Sequence, residues 1–105
     1  MRILKYAVEV DAHEDGFWVT DVEMPVGSEP ISCGSREFGM GRMGEVLIWA
    51  LVPEESPTGI RKFGILGTGL SRIGKDELSE GTFLGTVING PAVWHVFDLG
   101  EGKYL

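Results

Sequence analysis

Sixteen glycines and five prolines cut this chain into apolar runs too short for ordinary helices. The runs are rich in Val, Ile, Phe and Trp, and such segments between turn residues read as strands. LKYAVEV at 4–10 alternates Leu4, Tyr6, Val8 and Val10 with Lys5, Ala7 and Glu9, a period of two that leaves one face wet. Asp15-Gly16 offers a turn that closes a hairpin into FWVTDVEM at 17–24, which Pro25 and Gly27 end. A short strand is expected at 31–33. GSREFGMGRMGE at 34–45 carries neither period and reads as a mobile loop or wide hairpin tip. VLIWALV at 46–52 is continuously apolar and suits the centre of a sheet, and PEESPTG at 53–59 is a polar turn. IRKFGIL at 60–66 leads into Gly67-Thr68-Gly69. TFLGTVI at 82–88 and AVWHVFDL at 92–99 are strands joined by Asn89-Gly90-Pro91. KDELSE at 75–80 alone has helical character, with length for one or two turns. The expected fold is one all-β domain over 1–105, an antiparallel sandwich or small barrel of about six or seven strands.

Charge narrows the function classes. The net charge of −7 argues against general nucleic-acid binding, whose affinity comes from cations that neutralise phosphates. Residues 1–30 hold seven acidic and two basic side chains, residues 31–75 four and six, and residues 76–105 five and one. The middle third therefore runs against the acidic whole, and a local site for a small anion fits there. The one cysteine, Cys33, forms no intrachain disulfide and reads as a small, partly buried residue. No zinc spacing is present, and the cluster Asp11, His13, Glu14 and Asp15 lacks the spaced ligands and glycine of a calcium loop. Neither a leader's apolar run nor a membrane span is visible. No metal, cofactor or membrane contact is expected, and a reducing cytosol is the expected compartment. Trp18, Trp49 and Trp94 are core residues by default.

RKFGILGTGLSRIG at 61–74 looks like a phosphate loop. A dinucleotide fingerprint needs a third glycine where Arg72 stands, and a helix after it whose amides face the phosphate. A P-loop spacing is also missing. Both nucleotide folds are excluded. Two readings remain: a Gly-rich turn chosen for backbone geometry, or an anion site made of the amides at Gly67 and Gly69, the Thr68 hydroxyl and Arg72. Arg61, Trp94, His95, Arg36 and Arg42 complete the candidate ligand set.

His95 lies in AVWHVFDL with Val93, Phe97 and Leu99 on its own face and Ala92, Trp94, Val96 and Asp98 on the other. Apolar neighbours on both faces favour a packed, hydrogen-bonded histidine over a general base. No catalytic motif appears, and Glu54-Glu55 reads as a solvated turn. An enzyme is not expected.

IWALVP at 48–53, RKFGILGTG at 61–69, FLGTV at 83–87 and AVWHVF at 92–97, after an early Leu4-Lys5-Tyr6 and Glu23-Met24-Pro25, form an ordered series over residues 4–97. In order and spacing it resembles a family of small proteins encoded mostly by bacteriophages and prophages. Members often read Gly-Thr-Gly-His where this chain has Gly67-Thr68-Gly69-Leu70. The resemblance implies an accessory factor in the host cytoplasm. One expected mechanism is a homo-oligomer that sequesters a small anionic nucleotide signal and so counters host immunity. The alternatives are an acidic inhibitor of a host defence protein and a minor virion or assembly component.

Overall fold

Seven strands form among residues 1–9, 17–36, 45–68, 81–89 and 92–102, which the computed structural model describes. They are β1 (Arg2–Glu9), β2 (Phe17–Pro25), β3 (Glu29–Arg36), β4 (Glu45–Val52), β5 (Thr58–Gly67), β6 (Thr82–Asn89) and β7 (Ala92–Glu101). Sheet A runs β1-β4-β3 and sheet B runs β2-β5-β7-β6, with every neighbouring pair antiparallel. The two sheets stay separate, so the sandwich form of the expected fold is correct and the barrel form is not. The expected β1–β2 hairpin does not form. β1 pairs with β4 while β2 crosses to sheet B and pairs with β5. Both strands are wet on one face, and each finds a more apolar central partner than the other edge strand would be.

Sequence alternation sets which face is buried. Val46 and Ile48 of β4 pack in one cluster with Phe63 and Ile65 of β5 and Trp94 and Val96 of β7 across the interior, and Ala50 and Val52 on the same face of β4 are buried too. Each large side chain in that layer stabilises the fold by roughly 1.5–3 kcal/mol. β4 is the central strand of its sheet, as its apolar run predicts. Trp94 lies in the core as expected. Trp49 does not: it sits half-buried on the outer face of sheet A, its ring so close over Gly34 that a Cβ there would lie 2.9 Å from the indole. The expected strand at 31–33 extends over Glu29–Arg36, which takes in the first residues of the expected loop at 34–45. The rest of that loop up to residue 44, the expected helix at 75–80 and the Trp18 side chain lie outside the described residues.

The lower end of the sandwich is tied by its turns. Ser28 N–H donates to the Pro25 carbonyl at 3.1 Å, and Gly27 takes φ 85°, a left-handed value that a turn of this kind needs at its third position. Val26 N–H reaches the Pro57 carbonyl at 2.8 Å, and Ser56 Oγ donates to the Val26 carbonyl at 2.6 Å. The β2–β3 and β4–β5 crossovers at this end are thus held to one another.

Strands β3 and β6 approach at the opposite edges of the two sheets, where Ser35 Oγ donates to the Ile88 carbonyl at 3.1 Å. Gly85 is required there, because a Cβ on it would lie 2.7 Å from Cys33 Sγ. Gly85→Ala is expected to cost about 1–3 kcal/mol in urea unfolding through overpacking. A Cys33→Ala background is expected to restore most of that loss. An equal loss in both backgrounds would place the strain elsewhere.

Candidate functional site

The strands bring part of the expected ligand set to one end. β5 runs upward from Thr58 to Gly67, and β7 runs down from Ala92, so that Gly67 lies opposite Trp94 and Leu66 opposite His95. Thr68 follows, its N–H donating to the Val93 carbonyl at 3.0 Å. Across the other side of β7, Thr86 of β6 lies opposite His95. Gly67 is buried, and Trp94 points into the core while His95 points outward from the same strand.

His95 is held by two hydroxyls. Its Nε2 lies 2.6 Å from Thr68 Oγ1 and its Nδ1 3.0 Å from Thr86 Oγ1. A neutral imidazole donates through one nitrogen and accepts through the other, and hydroxyls that both donate and accept can serve either tautomer. The ring is therefore fixed in place by strands on both sides. Phe83 stands beside it, with ring centroids 6.5 Å apart at 41°, and also packs on Phe97 at 5.4 Å and 58°. Phe83 keeps 55% of its surface exposed. A polar line and an open aromatic face thus sit together on the outer surface of sheet B.

The group has the spacing of a catalytic pair but not the composition of a hydrolytic triad. Thr68 and His95 are spaced like a nucleophile and its base, but the third member is the Thr86 hydroxyl. In the hydrolytic triads that place is taken by a carboxylate, which stabilises the imidazolium that forms during the reaction. Among the described residues no group of three or more His, Cys, Asp or Glu side chains is placed to hold a metal. Cys33 packs against the core, and burial pushes its thiol above the ordinary value of 9.0. It stays protonated at neutral pH, which weakens it as a nucleophile.

Other members of the expected set lie apart. Arg61 is at the lower end of β5, seven residues from Thr68, a distance of about 23 Å along a strand. Its Nε and Nη2 each donate to the Asp98 carboxylate at 2.8 Å, and Nη1 donates to the Ser28 carbonyl at 2.9 Å. Glu101 lies 3.7 Å from Nη1 and accepts the Gly27 N–H at 3.0 Å. This network staples the β2–β3 turn to sheet B. Arg36 closes the upper end of β3 on sheet A, where it is paired with Glu45 at 3.3 Å. Gly69, Arg72 and Arg42 lie outside the described residues. Phe83 and Thr86 belong to the site; both fall in the ordered motif FLGTV at 83–87, which by itself assigns neither of them a partner.

Residues 1–104 match the model of the family described as Domain of unknown function (DUF7352). The chain belongs to that family. The match takes in every described strand, and the ordered motifs at residues 4–97 all fall within it. No curated protein and no solved structure matches the chain. Membership in the family brings no activity with it, so the chemistry of the site carries the functional argument.

Proposed function

We propose that this chain is a phage-encoded accessory protein that captures a small anionic nucleotide without turning it over, lowering the free concentration of an immune signal in the host cytoplasm. The observation that carries the reading is the fixed Thr68–His95–Thr86 line beside the exposed Phe83 ring. A nucleotide needs a flat apolar partner for its base and directed polar groups for its sugar and phosphate. Phe83 supplies the first, and His95 with the two threonines supplies the second. The phage setting rests on the ordered motifs and the resemblance they carry.

The test is equilibrium binding to a panel of cyclic and linear nucleotides, read by calorimetry and by melting temperature. Base stacking on an aromatic ring contributes about 1–3 kcal/mol. Phe83→Ala is therefore expected to weaken capture by about tenfold or more. Thr68→Val, which keeps the side-chain shape but removes the hydroxyl, should weaken it as well, with little loss of stability. If no nucleotide in the panel gives heat or a shift, and a host protein co-purifies with the tagged chain, the inhibitor reading replaces this one.

A further inference from the structure

The outer face of sheet B divides into charged and uncharged rows. The row through Asp21 and Lys62 carries an exposed ion pair at 2.8 Å, and Glu23 lies below it on β2. The next row up contains Val19, Gly64, Phe97 and Phe83, and above it stand Leu66, His95 and Thr86, then Val93 and Ile88. These upper rows contain no Asp, Glu, Lys or Arg, although the chain carries a net −7. Their large apolar side chains are open: Val19 at 48%, Phe83 at 55% and Ile88 at 68% exposure. An apolar centre with charges at its margin is the pattern of a protein interface.

We infer that a second copy of this chain covers that face, packed sheet against sheet about a two-fold axis. Charge selects this occupant. Nucleic acid and anionic membrane are repelled by the acidic whole, and a basic partner would be drawn to the carboxylates, not to rows that have none. A like-charged second copy is repelled everywhere except where charge is missing. Area agrees. The whole outer face, four strands spaced about 4.8 Å and about eight residues long at about 3.3 Å per residue, with the uncharged rows at its centre and the Asp21–Lys62 row at its rim, offers on the order of 500 Å² per copy. Two copies together reach about 1,000 Å², where specific interfaces begin.

The second copy also completes the site. One open sheet face touches a planar ligand on one side only. Two copies that face each other across the two-fold axis bring Phe83 and His95 of each to a ligand seated between them, one pair from either side. This closing role rests on the nucleotide reading, whereas the dimer itself does not.

Sedimentation velocity and native mass spectrometry test the dimer. The wild-type chain is expected to be dimeric at micromolar concentration, and more so in high salt, which screens the repulsion between two acidic copies. Ile88→Glu and Phe83→Glu each place a carboxylate from both copies in the apolar rows and are expected to raise the dimer Kd by about a hundred-fold or more. Both variants should melt as cooperatively as the wild type, since both side chains are exposed. Ile3→Glu, at an exposed position of sheet A, should stay dimeric. A wild-type monomer at about 100 µM, or a dimer that survives both sheet B substitutions, overturns the inference. A dimer that binds no nucleotide overturns only the ligand reading, and a monomer that binds one overturns only the dimer.

Discussion

Asp98→Ala is expected to destabilise this domain by about 3 kcal/mol, a large share of the 5–15 kcal/mol that holds a typical domain folded. The Arg61 and Asp98 side chains keep only 15% and 13% of their surface exposed. The carboxylate accepts two guanidinium N–H groups and, through Oδ1, the Gly100 N–H at 3.0 Å. Removing it leaves Arg61 charged and shielded from water, with the Ser28 carbonyl still in reach and Glu101 at 3.7 Å. That is the costly way to break such a pair. Replacing both members with apolar residues, as in Arg61→Met with Asp98→Leu, should cost less than Asp98→Ala alone, because no stranded charge remains. Salt should barely alter the Asp98→Ala loss, whereas the exposed Lys62–Asp21 pair, at 46% and 55% side-chain exposure, is screened by it. Urea unfolding of the three proteins at low and high salt decides the matter. A loss under about 1 kcal/mol for Asp98→Ala would show that the network does not hold the turn.

Phe63→Ala is expected to cost about 3–5 kcal/mol. Phe63 is fully buried in β5, opposite Asp98 of β7 and Thr20 of β2, and is among the largest side chains sealed between the sheets. Truncation leaves a cavity bounded by strands that cannot collapse without losing their ladders. Phe63→Leu refills most of that space and should recover more than half of the loss. The effect belongs to the core and not to the site. Nucleotide capture per folded molecule should therefore remain near wild type in Phe63→Ala, measured well below its melting temperature. Weak capture by fully folded protein would mean that the core sets the geometry of Thr68 and His95 more closely than the ladders do.

Parts of the site are legible in the amino-acid sequence. Alternation in AVWHVFDL puts His95 and Trp94 on opposite faces, and the hairpin at Asn89-Gly90-Pro91 is marked by its turn residues. If Asn89 and Ala92 close that hairpin, counting back pairs Thr86 with His95, which is the observed register. The turn residues therefore hold a signal for Thr86, whereas the FLGTV motif contains the residue without giving its partner. Phe83 is less accessible. The same count sets it opposite Asp98, but an irregularity between Phe83 and Gly85 shifts it to face Phe97, on the outer surface. A bulge adds one residue and turns the side chains beyond it to the other face. Arg61 shows the opposite limit. Its charge makes it a candidate for an anion, and only its neighbours show that its fork is engaged within the chain.

The sequence by itself determined the all-β class, the alternation that turns Trp94 inward and His95 outward, the central place of β4 and the β6–β7 hairpin. Those properties follow from periodicity and turn chemistry within about ten residues. Tertiary structure alone decided that β1 and β2 part into different sheets, that Arg61 finds Asp98 across 37 residues, and that Thr68 finds His95 across 27. Pairing between distant strands depends on the total apolar surface each arrangement buries, a quantity that belongs to the whole fold and to no single segment.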